Sequence, residues 1–171
     1  MENITRFLAR KLKLTVNQEK SAVGRPWERK FLGFCFTNDA KLRRRIAPKA
    51  RERFKNKVRK MTRRTCGRKL ERIIEELAPY LRGWAGYFKY TELPSDLQSL
   101  DKWIRRRLRC IIWTQWQRGQ QRYKELVKRG VSSDWARTHA GSSKGVWHLS
   151  RSKPLHQALP NSFFESLFDD F

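Results

Sequence analysis

The fold is decided by the stretch Pro79-Tyr80-Leu81-Arg82-Gly83-Trp84-Ala85-Gly86-Tyr87-Phe88-Lys89-Tyr90, in which five of twelve residues are aromatic. This stretch continues a series of apolar residues at steps of three and four, a pattern that predicts one face of a helix. The series runs through Leu70, Ile73, Ile74, Leu77, Leu81, Trp84 and Phe88. Because large aromatic side chains bury much apolar area, we expect a core helix over residues 69–90. Stacking on nucleic-acid bases is the alternative to core packing for these aromatics.

Three residues of this predicted helix affect its backbone. Pro79 has no N–H group to donate within a helix, so we expect a kink or a restart at that position. Gly83 and Gly86 have no side chain, and their spacing of three residues predicts that a neighbouring backbone comes close to the helix.

Two more amphipathic helices flank the core helix. The first begins near Pro48, since proline is tolerated in the first turn of a helix. Its apolar stripe is Ala50, Phe54, Val58 and Met61. The second begins near Pro94 and has a capping-box spacing from Ser95 to Gln98. Its inward-facing residues are Leu97, Leu100, Ile104, Leu108, Ile111 and Ile112. Three such helices with short connections predict a small bundle.

Shorter elements are predicted on both sides of this bundle. After it we expect helices at 120–129 and 134–140, an extended segment at 146–150, a helical turn at 154–159 and a last short helix from Pro160. Before it we expect a short helix near residues 4–14 and two strands, at 15–23 and 30–36. A helix and two strands do not form a stable sheet alone, so we expect the chain to begin inside a larger domain.

The charge of the chain predicts a polyanionic partner. Lys and Arg number 40 against 16 for Asp and Glu, which gives a net charge of +24 and a pI near 11.0. Nucleic acid is the first candidate, because its phosphates are closely spaced charges. An anionic membrane surface is the second, and a basic face that contacts only water is the ordinary alternative. No apolar run is long enough to span a bilayer, and the first six residues do not resemble a signal peptide.

The cysteines and histidines predict neither a metal site nor a disulfide framework. Cys35, Cys66 and Cys110 are far apart and odd in number, which is typical of reduced thiols in a cytoplasmic protein. His139, His148 and His156 do not recur at the spacing of metal ligands. Ser142 and Ser143 have no evident base. We predict no catalytic residue, no metal and no cofactor.

The basic helices carry the candidate nucleic-acid ligands. Arg51, Lys55, Arg59 and Arg63 are spaced by four, so they form one row along the first helix of the bundle. Arginine dominates the second basic run and makes bidentate contacts with phosphate. The full candidate set is Arg51, Lys55, Arg59, Arg63, Arg64, Arg105, Arg106, Arg109 and Lys144.

Several stretches of the sequence resemble one family and follow its order. Phe7-Leu8 to Leu14-x-Val16-Asn17-x-Glu19-Lys20-Ser21, followed by Lys30-Phe31-Leu32-Gly33-Phe34, resembles the last reverse-transcriptase blocks of bacterial group II intron-encoded proteins. Leu81-Arg82-Gly83-Trp84-x-x-Tyr87-Phe88 resembles the hallmark of their thumb, the X or maturase-specific domain. Leu100-Asp101-x-Trp103-Ile104-Arg105-x-Arg107-Leu108-Arg109 and Lys144-Gly145-x-Trp147-x-Leu149-Ser150 resemble the same family.

This resemblance implies a mainly α protein: a helical-bundle thumb with a small N-terminal remnant of the palm, one helix and two strands. The expected division is a palm remnant at 1–40, a thumb at 41–118 and the C-terminal part of the maturase-specific domain at 119–171. The implied partner is group II intron RNA, which the protein would help to fold for splicing. Non-specific DNA binding is a secondary expectation, and a membrane is not an expected partner.

The departures from the family predict a protein without polymerase activity. A complete member carries a Tyr-Ala-Asp-Asp block, whose carboxylates hold the catalytic metals, and this chain has no such block. The terminal pair Asp169-Asp170 has no strand–turn context, and Lys20, which matches a palm lysine, has no metal site to serve. The chain therefore resembles a C-terminal fragment of a reverse transcriptase. Three alternatives remain: a subunit of a split polymerase that needs a separate N-terminal chain, a general polyanion binder, and a decayed fragment without function.

Overall fold

The computed structural model describes residues 2–17, 21–63 and 67–169. Within these ranges the fold is mainly α, as predicted. Its helices are α1 (Glu2–Lys11), α2 (Pro48–Met61), α3 (Leu70–Phe88), α4 (Pro94–Gln115), α5 (Gly119–Lys128), α6 (Ser133–Ala140), α7 (Val146–Leu149), α8 (Lys153–Ala158) and α9 (Asn161–Asp169). A 3₁₀ helix (Pro26–Glu28) and three short strands, β1 (Lys30–Phe31), β2 (Phe34–Phe36) and β3 (Arg44–Ile46), precede α2.

The main core lies where α2, α3 and α4 meet the short C-terminal helices. The predicted apolar stripes supply it, because Phe54 and Val58 of α2 and Leu77 of α3 are almost fully buried. The same cluster continues into the C-terminal region through Leu126, Leu149, Leu155, Leu159 and Phe164. The C-terminal helices are therefore part of the same core as the bundle.

The three strands form an antiparallel sheet in the order β1-β2-β3. Gly33 makes the turn between β1 and β2 with a φ of +81°, a conformation that favours glycine. A Cβ at this position would also meet the Phe88 ring at 3.1 Å. Ile46, Ala47, Ala50 and Phe88 form a second, smaller core between the sheet and α3. Trp84 packs against both cores.

Asp96 joins the sheet to the bundle at the start of α4. Its side chain is buried and accepts a hydrogen bond from the Ile46 N–H at 3.3 Å. The guanidinium groups of Arg51 and Arg45 lie 3.4 and 3.5 Å from the same carboxylate. Glu92 adds a second connection, since its carboxylate accepts the N–H of Arg44 and its own N–H donates to the Arg44 carbonyl. The sheet is therefore fastened to α2 and α4 by polar contacts as well as by its core.

The prediction for the N-terminal strands is partly wrong. Residues 15–17 and 21–23 form no strand, whereas 18–20 lie outside the described residues. The predicted strand at 30–36 is two strands, because the turn at Leu32 and Gly33 folds it into a hairpin. The third strand, β3, was not predicted, since two of its three residues are arginines, which hide a strand pattern.

Two further expectations for the helices are wrong, and of the kink or restart expected at Pro79 the restart does not occur. Residues 146–149 are a single helical turn rather than an extended segment, and so short a run shows no helical period. α3 does not restart at Pro79 but continues through it. No described atom lies within 4 Å of a Cβ built on Gly83 or Gly86, so no backbone approaches them. Both glycines are exposed, because they lie off the buried face of α3.

Candidate nucleic-acid interface

Basic side chains from α2 and α4 gather around the indole ring of Trp103. Lys55 and Arg59 of α2 place their charged groups 5.9 and 5.7 Å from the ring centroid. Arg107 of α4 lies 5.3 Å from it. Trp103 is half-buried, and cations over an indole face are attracted by its quadrupole. The ring thus holds three neighbouring positive charges at the junction of two helices.

The solvent-facing side of α2 is mostly basic, and its exposed acidic residue is Glu52. Its exposed basic residues are Lys49, Arg53, Lys57, Arg59 and Lys60. Arg59 also pairs with Glu52 at 2.9 Å and donates to the Asn56 side chain. Arg63 follows the end of the helix and is also exposed. This side of α2 can meet a row of phosphates without moving any core residue.

Arg51 stands apart from the rest of its predicted row. It is half-buried, and its guanidinium contacts Asp96 and donates to the Ser99 hydroxyl at 3.4 Å. These contacts fasten α2 to α4. Arg51 therefore has a role in the fold whether or not it also meets a phosphate.

The three predicted arginines of α4 make contacts inside the protein. Arg105 pairs with Asp101 at 2.9 Å and with Glu165 at 3.2 Å. Arg106 stacks on Trp147, with its guanidinium carbon 3.7 Å from the ring centroid, and donates to the Ser150 hydroxyl and the Trp147 carbonyl. Arg109 is only 3% exposed and donates to the Leu159 carbonyl and the Asn161 side-chain oxygen.

These same arginines line one cavity of about 690 Å³ between α4 and the C-terminal helices. Lys102, Trp103, Arg151 and His156 also line it. Trp103 belongs to both groups, since it lines the cavity and contacts the basic side chains of α2. Trp103 therefore lies between Lys55 and Arg59 of α2 and the cavity that the predicted arginines of α4 line.

The pKa values in this cavity are lowered by burial and by neighbouring positive charge. Burial, followed by the charge of Arg151, lowers the pKa of the Arg106 guanidinium. Burial, followed by the charge of Arg105, lowers the pKa of Arg109. The pKa of His156 is lowered by burial and then by Arg109. In all three cases a nearby cation disfavours the protonated form.

The remaining candidates lie outside this group. Lys144 is exposed in the loop before α7. Arg64, Lys20 and Asp170 lie outside the described residues. Sequence reasoning did not select Lys102 and Arg151, which line the cavity. The position of Arg151 directly after the last family block could have drawn attention to it. Nothing in the sequence indicates that it lies near Arg106, which is 45 positions earlier.

The described residues form neither a candidate metal site nor a candidate membrane-spanning helix. Within residues 2–17, 21–63 and 67–169, no three side chains of His, Cys, Asp or Glu come together in a way that could hold a metal ion. None of the described helices is both long enough and apolar enough to cross a bilayer.

Comparison with protein families gives a match over the middle of the chain. Residues 51–130 match the family model for the group II intron, maturase-specific domain. This segment covers most of α2 and all of α3, α4 and α5, and so includes Trp103 and the basic side of α2. The matched domain is not itself a catalytic polymerase domain. No curated protein matches the chain.

Proposed function

We propose that the protein binds structured group II intron RNA and assists its folding for splicing, because residues 51–130 match the family model for the group II intron, maturase-specific domain. The observation that carries this proposal is the gathering of Lys55, Arg59 and Arg107 around Trp103 within the matched domain. Phosphates of a folded RNA would supply the negative charge that this surface lacks.

The proposed contact surface is the exposed side of α2 together with the loop before α7. Lys55, Arg59 and Arg63 are the principal ligands, and Arg64 and Lys144 remain part of the proposal. Arg51 supports the surface through Asp96, whereas Arg105, Arg106 and Arg109 line the cavity beside α4. The division of the chain at residues 40 and 118 also stays a proposal.

Binding to intron RNA across a range of salt concentrations tests this function. If about five phosphates are neutralised, the plot of log K against log salt should have a slope of about −3.5 to −4.5, at ~0.7 to 0.9 per contact. A duplex DNA of equal length is the competitor, because it has the charge but not the 2′-hydroxyls and loops of a folded RNA. Equal affinity for both nucleic acids would favour a general polyanion binder instead.

A second candidate is a subunit of a split reverse transcriptase. The observation that favours it is apolar exposure near the N-terminus, where Phe31 and Leu32 are 75% and 66% exposed and Phe7 is 57% exposed. Exposed apolar patches of this kind mark contact sites for another chain. We propose that the protein alone has no polymerase activity. Mg²⁺-dependent incorporation of dNTPs that appears only after addition of a separate palm-containing chain would favour this second candidate.

A further inference from the structure

The cavity beside α4 has a buried cation without a matching anion. Arg109 is 3% exposed, and burying a charge is costly unless an opposite charge or strong hydrogen bonds compensate it. Its hydrogen bonds in the described structure go to two neutral acceptors, the Leu159 carbonyl and the Asn161 amide oxygen. Its guanidinium carbon also lies 5.0 Å from the centroid of the Phe164 ring. Among the described residues, Arg109 forms no ion pair with a carboxylate.

The carboxylates that line the cavity are already engaged. Asp101 and Glu165 both pair with Arg105. The lining contains five cations, namely Lys102, Arg105, Arg106, Arg109 and Arg151, against these two acids, an excess of three positive charges. Lys102 and Arg151 are exposed and form no ion pair with any described residue, so both can reach a ligand.

Contacts with Trp147 and Ser150 fix the orientation of the Arg106 guanidinium. Trp147 covers one face of its guanidinium, while Ser150 and the Trp147 carbonyl accept two of its N–H groups. Such contacts fix the direction of the remaining N–H groups, and a group fixed in advance loses less entropy on binding. Repulsion from Arg151 and the lowered pKa of Arg106 both indicate a positive potential that an anion would relieve.

We propose that this cavity is a phosphate-binding site, formed by Arg106, Arg109 and Arg151 with Lys102 at its opening. Its volume of about 690 Å³ is larger than a phosphate group needs and falls within the usual range of ligand pockets. The site therefore has room for a sugar or base attached to the phosphate. Its ligand is a backbone phosphate of single-stranded RNA, an identity that rests on the proposed function, whereas the phosphate site itself does not.

The first test uses inorganic phosphate and the full chain. The double variant Lys102→Ala with Arg151→Ala removes two exposed charges from the cavity. The matched control, Lys124→Ala with Lys128→Ala, removes two exposed charges from α5. Phosphate stabilises many proteins without binding to them, so each melting temperature is compared with chloride at equal ionic strength.

We expect phosphate to raise the melting temperature of the natural protein and of the α5 control, and to raise that of the cavity variant by less than half as much. Equal shifts in all three proteins would overturn the phosphate site. This result is independent of whether the protein binds intron RNA at all.

The second test uses a single-stranded RNA hexamer and identifies the source of the phosphate. The cavity variant should bind the hexamer more weakly, and its slope of log K against log salt should be flatter by about 1.4, at ~0.7 per single-strand contact. The α5 control should keep the original slope. If the natural protein binds intron RNA while the cavity variant binds the hexamer as the natural protein does, the RNA ligand is wrong and the proposed function stands. If the natural protein fails to bind intron RNA, the proposed function is wrong.

Discussion

The ring centroids of Phe54 in α2 and Trp84 in α3 lie 4.2 Å apart, the closest link in a chain of aromatic contacts. Tyr80 continues the chain on one side at 5.7 Å from Phe54, and Phe88 lies 4.4 Å from Trp84. Phe34 of the sheet follows at 5.0 Å from Phe88. The aromatics around Trp84 therefore pack within the protein, and they join the sheet to the bundle.

Replacing Trp84 should destabilise the protein before it affects RNA binding. Truncation of a buried tryptophan to alanine costs about 3–5 kcal/mol, and we expect Trp84→Ala to fall near 3 because its ring is only half-buried. Urea unfolding of the variant measures this loss. If Trp84→Ala has the same urea midpoint as the natural protein and yet loses RNA binding, the ring stacks on bases rather than on Phe54.

Alanine at Gly83 and Gly86 should stabilise the protein. Glycine in a helix interior costs about 0.5–1 kcal/mol relative to alanine, and a Cβ at either position meets no described atom. Each single substitution should therefore raise the free energy of unfolding by that amount. Gly33→Ala is the control and should destabilise the protein. Its φ of +81° disfavours alanine, and the new Cβ would lie 3.1 Å from the Phe88 ring. Destabilisation by Gly83→Ala would show that another backbone approaches α3 after all.

Removing two charges from α2 should flatten the salt dependence of RNA binding. Arg59 and Arg63 are exposed, so Arg59→Ala with Arg63→Ala should leave the fold intact and reduce the slope of log K against log salt by roughly 1.5. Filter binding at several salt concentrations measures the slope, and circular dichroism checks the fold. The same α5 double variant, Lys124→Ala with Lys128→Ala, is the control. An unchanged slope and affinity in a folded Arg59 and Arg63 variant would mean that this side of α2 meets only water.

The turn between β2 and β3 should lose a stabilising contact in acid. A hydrogen bond from the Thr37 hydroxyl, then one from Arg43, lowers the pKa of Asp39 from 3.8 to about 2. Because the folded-state pKa is the lower one, this contribution is complete above about pH 4 and is lost as pH falls towards 2. Carbon NMR titration of the Asp39 carboxyl measures the pKa directly, with Thr37→Val as the control that should raise it. A pKa near 3.8 in the natural protein would contradict the contact.

The helices of the bundle could be predicted because their apolar residues face one core. Phe54, Leu77 and Leu108 each belong to a series of apolar residues at helical spacing. The local sequence is therefore sufficient to predict these helices. The single turn at α7 and the strand β3 could not be predicted in this way. Both are too short to show a period, and Arg44 in β3 is fixed by Tyr90 and Glu92, which are more than 45 positions away.

The sequence predicted which basic residues belong to the candidate site but not which of them are exposed. Arg59, Arg63 and Arg109 look alike in the sequence, yet the first two are exposed and the third is buried. The difference comes from Leu159 and Asn161, which lie about 50 positions further along the chain and surround Arg109. Charge counts alone therefore could not separate the outer face of α2 from the cavity beside α4.

Trp84 contacts both hydrophobic cores, and this has a consequence for how the molecule melts. A side chain shared by two clusters loses its packing when either cluster opens, so the loss of one should carry the other with it. We therefore expect the sheet and the helices packed around Trp84 to unfold in one cooperative step, with a calorimetric enthalpy equal to the van't Hoff enthalpy. The hairpin would then protect its amide hydrogens from exchange only as long as the bundle remains folded.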